Sequence, residues 1–194
     1  METLGKILGS GARVKIMRLF LLNRGKSFKN KDIIKRSQVS PAVARREVRL
    51  LSSVDFIKKR PMGEWTFNPL FKYATEIEDL LVRSNSLNQQ TIMDNFKKVG
   101  RVKLLIVSGV FIKNDDSRVD LLVVGDKLRR RKIENGIRKL EAEIGTELVY
   151  AIFETKEFLY RLNMYDKLVR DIIDYPHEVL LQVKELSTQA LKKS

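Results

Sequence analysis

Hydrophobic and polar positions near the start of the chain alternate with the period of helices. The first apolar stripe predicts a helix from Gly11 to Leu22, ended by the sequence Asn23-Arg24-Gly25. A shorter helix is expected in FKNKDIIKRS, residues 28–37, with Ile33 and Ile34 facing inward. The sequence SQVS then makes a tight turn.

The next helix has a strong start signal. Ser40 can cap the free amides, and Pro41 fits the first helical position without losing a hydrogen bond. In PAVARREVRLLSS, residues 41–53, the spacing i, i+4, i+7 turns Ala44, Val48 and Leu51 toward the core. The opposite face then carries small and cationic residues, with Ser40 at its tip: Ala42, Arg45, Arg46 and Arg49.

A hairpin is predicted directly after this helix. DFIKKR and EWTFNP read as short strands joined by the turn PMG, and Trp65 is expected to pack the hairpin onto the core. The hairpin is edged with three cations, Lys58, Lys59 and Arg60. Helices, a turn, a further helix and a basic hairpin in about 70 residues follow the plan of a winged helix-turn-helix.

The rest of the chain predicts a connector and a second domain. Residues 71–98 have helical periodicity and predict one or two connecting helices, interrupted near residues 83–86. Three β-branched runs, RVKLLIVSGV, RVDLLVVGD and TELVYAIF, are of strand length, and a helix lies between the last two. Helical segments from Lys156 to Val183 are expected to complete a small mixed α/β sheet domain.

The predicted fold class is therefore α+β, with three parts. Residues 1–75 would form the winged helix, residues 76–100 the helical connector, and residues 101–194 the small mixed-sheet domain.

Composition excludes several kinds of site. No apolar run approaches the roughly 20 residues that cross a bilayer, and the N-terminus lacks the pattern of a signal peptide. The chain has no cysteine, which excludes disulfides, thiolate nucleophiles and zinc-cysteine sites. We expect a cytoplasmic protein with no membrane partner.

The charge is concentrated at one end of the chain. Residues 1–75 hold 17 Lys and Arg against 5 Asp and Glu, whereas residues 76–194 hold 21 against 19. Neutralising phosphates releases counterions, so a basic module of this kind favours nucleic acid as partner. The guanidinium fork of arginine suits both phosphate and the guanine edge, so residues 41–53 read as a recognition helix for duplex DNA.

Three other interpretations of this basic region stay open. The arginines could simply solvate an amphipathic helix, RNA could replace DNA, or the module could bind another protein. The dense basic run KLRRRK, residues 127–132, could likewise touch DNA or form a solvated helix face.

The stretch from GSGARVKIMRLFLLN through KDIIKRSQVSPAVARREVRLLSSVDFIKKR to EWTFNPLFKYATEIEDLL resembles a family of small prokaryotic winged-helix transcriptional regulators. The resemblance implies a sequence-specific regulator on double-stranded DNA, acting at the nucleoid. A homodimer on a pseudo-palindromic site is the usual geometry for such modules. In that family the winged helix precedes a domain of nucleotidyltransferase fold.

The stretch SGVFIKNDDSRVDLLVVGD, residues 108–126, is similar to the core motif of the DNA polymerase beta nucleotidyltransferase superfamily. Minimal members carry Gly-Ser after one strand and Ser-Asp-x-Asp at the next, so that two carboxylates bind Mg²⁺. Here Gly109 matches the glycine, Val110 replaces the serine, and Ser117-Arg118-Val119-Asp120 replaces the second motif. Glu147 is the candidate third carboxylate.

Arg118 stands where a metal ligand belongs, and we expect it to pair with Asp120 and fill the site. Asp115 and Asp116 read as turn residues rather than replacement ligands. The prediction is a transferase fold without activity, metal or cofactor, with a cleft near Gly109, Ser117, Arg118 and Asp120. This domain would regulate or dimerise the protein, or bind a nucleotide or small-molecule effector. The alternative is an active metal-dependent nucleotidyltransferase of the toxin-antitoxin type, with an autoregulatory DNA-binding domain.

Overall fold

A computed structural model describes residues 3–83, 88–114 and 116–186 of the chain. The α+β class predicted from the sequence is confirmed. The described residues pack into two compact units, which we call unit 1 (3–83 and 138–147) and unit 2 (88–137 and 148–186). This differs from the predicted division, because residues 138–147 pack with the first unit and the predicted connector is divided between the two.

Unit 1 begins with four helices. The first was not predicted, and the other three follow the predicted order. The predicted helix starting at Gly11 ends one residue early, and the helix of residues 41–53 has the expected bounds. A fifth helix, followed by a π-helical turn at Asp79–Arg83, begins the predicted connector. The helices are α1 Thr3–Ile7, α2 Gly11–Leu21, α3 Asn30–Ser37, α4 Pro41–Ser53 and α5 Ala74–Glu78.

The sheet of unit 1 has three short antiparallel strands, β1 (Ser27–Phe28), β2 (Ile57–Lys59) and β3 (Trp65–Phe67), in the order β1-β3-β2. The predicted hairpin is present as β2 and β3, joined by a 3₁₀ turn at Pro61–Gly63. β1 was not predicted, because the sequence pattern places Phe28 in the following helix. Phe28 instead pairs with Trp65 and packs edge-on against Phe20, which holds the hairpin to the helices.

The core of unit 1 lies between α2, α3, α4 and the small sheet. Val14, Ile16, Phe20, Ile33 and Phe56 are fully buried, and the partly buried Trp65 packs against this cluster as predicted. Ile34 lies only half inside.

Residues 138–147 are anchored in unit 1 by polar contacts to α2 and the segment after it. The buried guanidinium of Arg18 donates to the carbonyl oxygens of Leu81 and Glu143 at 2.8 and 2.9 Å. The Asn23 amide donates to the carbonyl oxygen of Gly145 at 2.9 Å. These hydrogen bonds satisfy a buried cation and a buried amide. The contacts of residues 138–147 therefore stabilise the fold of unit 1.

Unit 2 contains a four-stranded mixed sheet in the order β6-β5-β4-β7. β5 runs parallel to β6 and antiparallel to β4, and β7 is antiparallel to β4. α7 begins in this unit, and its residues from 138 onward belong to unit 1. The elements are α6 Gln89–Asp94, β4 Arg101–Val107, β5 Leu121–Asp126, α7 Arg130–Ile144, β6 Tyr150–Glu154, α8 Thr155–Asn163, α9 Lys167–Asp174 and β7 Glu178–Gln182.

Two predictions for unit 2 were wrong. Residues 178–182 form an edge strand beside β4 instead of a helix, because their apolar run is too short for a helix and matches a half-buried strand. β5 and β6 also begin three and four residues later than their apolar runs begin. Residues 118–120 therefore precede a strand and do not lie within one.

No helix in the described part of the chain is both long enough and apolar enough to cross a membrane.

Candidate nucleic-acid interface

A short turn leads from α3 into α4. Gln38 ends α3 in the left-handed conformation, with φ of 52°. Ser40 then caps α4, because its Oγ accepts a hydrogen bond from the backbone N–H of Val43 at 3.4 Å, and Pro41 occupies the first turn. The exposed start of α4 is thereby fixed by its own sequence.

The two long faces of α4 differ sharply in burial. Ala44, Val48 and Leu51 are buried in the core, as the spacing predicts. Arg45 and Arg49 are exposed, and neither side chain has a hydrogen bond or ion pair with another described residue. Ala42 is exposed beside them. This face therefore presents two free guanidinium groups next to a small side chain that permits close approach.

Glu47 is a buried carboxylate in the same helix, and sequence reasoning missed its role. Its Oε2 lies 2.9 Å from Nε of Arg13, and its side chain has no exposed surface. Burial on its own would raise the pKa of Glu47. Hydrogen bonds from Arg46, Arg13 and Ser10 lower that pKa by more, so the carboxylate stays charged. The i, i+3 spacing of Glu47 from Ala44 was the available signal, since it places the acid on the buried face.

Arg46 differs from the other two arginines of the predicted face. Its Nε and Nη2 donate to Oε1 of Glu47 at 3.2 and 2.8 Å. The side chain is still 69% exposed. Arg46 therefore covers the buried acid, and fewer of its donors are free for an external partner than those of Arg45 and Arg49.

The hairpin presents a second cationic surface. Lys58, Lys59 and Arg60 are exposed, and their side chains have no partners within the described ranges. Met62 and Gly63 turn the chain at the tip, both with positive φ. The predicted basic edge of the hairpin is thus open to solvent.

Most carboxylates in residues 27–67 accept hydrogen bonds within unit 1. Asp32 accepts from the backbone N–H of Lys29, and Glu64 accepts from the hydroxyl of Ser27. Glu47 is buried with its two arginines. Of the four carboxylates in residues 27–67, only that of Asp55 has no such partner among the described residues. Residues 27–67 hold ten Lys and Arg against these four acids, so the acids offset the positive potential of α4 and the hairpin only in part.

In unit 2, the predicted cleft residue Asp120 has a structural role. Its Oδ1 accepts from the backbone N–H of Val110 at 2.9 Å, and its Oδ2 accepts from that of Val149 at 2.8 Å. Gly109 lies against it, because a Cβ at Gly109 would be 2.1 Å from Oδ1. The two carboxylate oxygens thus bind the backbone of the segment after β4 and of the segment before β6.

The predicted ion pair between Arg118 and Asp120 was wrong. Nε of Arg118 instead lies 3.0 Å from Oδ2 of Asp171 in α9. Because β5 starts only at Leu121, the two residues are not held on one face of a strand, and Arg118 is free to turn toward α9. The Ser117 hydroxyl is buried without a hydrogen-bond partner among the described residues.

The other candidate metal ligands either have partners in the structure or lie outside the described residues. Glu147 precedes β6 and pairs with Arg36 at 2.8 Å. The N–H of Asp116 donates to Oδ1 of Asn114, which confirms a turn there, whereas Asp115 lies outside the described residues. Within the described ranges, no three His, Asp or Glu side chains come together as a metal site.

Comparisons with models of known families, with curated proteins and with solved structures find no match to this chain.

Proposed function

We propose that the protein is a sequence-specific, double-stranded DNA-binding transcriptional regulator, and that unit 1 is its winged helix-turn-helix. The observation that carries the proposal is the pair of exposed guanidinium groups of Arg45 and Arg49, on the side of α4 opposite its buried face and without a partner in the described part of the chain. The basic hairpin supplies a second contact surface.

In this account α4 enters the major groove with its capped end leading. Ser40 and Ala42 permit close approach, and the forks of Arg45 and Arg49 reach guanine O6 and N7. Lys58, Lys59 and Arg60 contact phosphates, which fix the position of the protein but carry no sequence information. Arg46 contributes charge at the edge of the contact.

Duplex DNA is favoured over the two other partners by the form of this surface. An α-helix fits the wide major groove of B-form DNA, whereas the deep, narrow major groove of A-form RNA excludes side chains. A protein partner would call for apolar anchors, and the outward face of α4 is mainly cationic.

We further propose that unit 2 is a nucleotidyltransferase-like domain without transferase activity, which serves regulation or dimerisation. The contact of Gly109 with Asp120, just after β4 and just before β5, supports the resemblance in fold. The binding of both Asp120 oxygens by backbone amides argues against metal chemistry. As a homodimeric DNA-binding regulator, the protein would act in the cytoplasm at the nucleoid.

Selection from a random duplex library tests the proposal. The full chain and an Arg45→Ala/Arg49→Ala variant would each be used to retain fragments for sequencing, beside a pool of random RNA. We expect the full chain to enrich a common motif with two symmetric half-sites about 34 Å apart. Failure to enrich any motif, or preferential enrichment of RNA, would overturn the proposal.

A further inference from the structure

Unit 2 contains a cationic recess that no predicted site includes. The recess has a volume of about 630 Å³, and it is lined by Lys98, Gly100, Arg101, Arg129 and Lys132. No carboxylate of the described residues lines it. Four cations from two distant stretches of sequence thus line one open surface recess.

Gly100 brings the two stretches together. Its φ is +142°, and a Cβ there would lie 2.7 Å from the carbonyl oxygen of Lys127 and 2.9 Å from Cα of Leu128. The backbone N–H of Arg129 also donates to the carbonyl oxygen of Val99 at 2.6 Å. The close packing of backbone against backbone therefore holds together the two segments that carry the cations.

Three of the four cations of the recess have no partner among the described residues. The side chains of Lys98, Arg129 and Lys132 have no hydrogen bond or ion pair in the described part of the chain. Arg101 interacts electrostatically with Asp126 and Glu185, and Nζ of Lys103 lies 2.9 and 2.7 Å from these two acids. Hydrogen bonding to Glu185 and Asp126 raises the pKa of Lys103, so these acids keep a charged partner.

An apolar recess of about 570 Å³ adjoins the cationic one, and the two share Gly100 and Arg101. Its wall is mainly apolar: Met93, Phe96, Val102, Leu105 and Leu181. Lys97 also lines it but is paired with Asp94 at 2.6 Å. A recess that is cationic at one end and apolar at the other suits a ligand that is anionic at one end and apolar at the other.

We infer that these adjoining recesses bind a small organic phosphate, with a di- or triphosphate among the four cations and an apolar or aromatic group against Met93 and Phe96. Arginine forks bind phosphate oxygens in pairs, and lysines add point charges. Arg129 and Lys132 also lie at the first turn of α7, where the helix dipole favours an anion. A nucleotide and an isoprenoid diphosphate share this chemistry.

This site differs from the predicted cleft and does not depend on DNA binding. The recess lies at the start of β4, where Gly100 and Arg101 line it, whereas Gly109 and Asp120 lie beyond the end of that strand. The apolar recess distinguishes a small organic phosphate from the DNA backbone, since phosphodiester contacts need no apolar wall.

Calorimetric titration of the full chain with three probes tests the inference: inorganic tripolyphosphate, ATP and farnesyl diphosphate. The test variant is Arg129→Gln/Lys132→Gln. Its matched control, Arg131→Gln/Lys156→Gln, removes the same charges from exposed positions of unit 2 outside the recess. Lys98→Gln provides a second test outside any helix, and circular dichroism checks that each variant is folded.

We expect the full chain to bind tripolyphosphate and at least one organic probe, the organic probe more tightly. The test variant should lose at least about tenfold in affinity, since two charge-assisted contacts are removed, while the control changes little. Met93→Ala should weaken the organic probe and leave tripolyphosphate unchanged. Comparison of the affinities for ATP and for farnesyl diphosphate shows whether the apolar recess prefers an aromatic base or an isoprenoid chain.

Three results would overturn the inference. The full chain could fail to bind all three probes, or the test and control variants could lose affinity equally, which would indicate a general charge effect. The third is that the test variant loses affinity for duplex DNA while no small probe binds, which would make the recess a contact for the DNA backbone.

Discussion

The buried carboxylate of Glu47 accepts a hydrogen bond from Nε of Arg13 at 2.9 Å, and this pair joins α4 to α2. The proposed DNA-reading helix is therefore held by a buried charge on its inner face, while Arg45 and Arg49 extend from its outer face. Because Arg46 also donates to Glu47, one acid organises both the docking of α4 and part of its cationic surface.

Replacement of Glu47 by glutamine should destabilise the fold and remove part of its acid sensitivity. Loss of charge-assisted hydrogen bonds should lower the free energy of unfolding at pH 7 by roughly 1.5 to 3 kcal/mol. The pKa of Glu47 is lower in the folded protein than its ordinary value of 4.5. At any pH between the folded-state pKa and 4.5, the unfolded chain therefore binds more protons than the folded protein does. This stabilisation is complete above pH 4.5 and is lost as the pH falls through the folded-state pKa.

Urea denaturation of both proteins at pH 7 and near pH 4 measures this effect. The difference between them should shrink in acid, and the exposed control Glu76→Ala should change stability by no more than about 0.5 kcal/mol. A difference that is the same at both pH values would show that the charge of Glu47 has no part in it.

Substitution of Gly109 by alanine should be costly for two reasons. Its φ of +55° disfavours any side chain, at about 1 to 2 kcal/mol, and the new Cβ would displace Asp120 Oδ1 from the Val110 amide. Loss of that hydrogen bond should add about 1.5 to 3 kcal/mol.

The matched control is Gly63→Ala at the hairpin tip, where φ is +75° but no atom lies within 4 Å of the added Cβ. Urea denaturation should show only the backbone cost there. Equal destabilisation by the two substitutions would contradict the bracing role of Asp120.

The protein should not transfer nucleotides. With a labelled nucleoside triphosphate and Mg²⁺ or Mn²⁺, we expect no incorporation by the full chain. Arg118→Asp should not restore it, because both Asp120 oxygens already accept backbone N–H groups. Appreciable transfer by the unaltered chain would instead favour an active enzyme with an autoregulatory DNA-binding domain.

Lys59 should contribute affinity without specificity. Its exposed side chain on β2 has no partner among the described residues and is proposed to contact phosphate, so Lys59→Ala should weaken binding to the selected site and to unrelated duplex DNA by the same factor. The slope of log affinity against log salt should fall by about 1, which fluorescence anisotropy in a salt series measures. A loss confined to the selected sequence would mean that Lys59 reads bases.

Local signals predicted α4 and the hairpin well. Ser40 and Pro41 define where α4 begins, and the buried spacing of Ala44, Val48 and Leu51 defines its inner face. Such features depend on neighbours along the chain, so sequence alone contains them.

Features that depend on distant partners were missed. The two-residue strand β1 exists only through pairing with β3, and β7 only through pairing with β4. Arg118 was expected to pair with its neighbour Asp120, but α9 brings Asp171 closer. The cationic recess joins residues 98–101 to residues 129–132, for which the sequence left open a DNA contact or a solvated helix face.

The central claim is tested most directly by anisotropy titration of one labelled duplex carrying the selected site. Arg45→Ala and Arg49→Ala should each weaken specific binding by about 1 to 3 kcal/mol and should relax specificity at one base position. Lys156→Ala should leave it nearly unchanged, and affinity of the full chain should fall steeply between about 50 and about 200 mM salt. If the Arg45 and Arg49 variants bind the selected site as tightly as the full chain does, α4 is not the DNA-reading element.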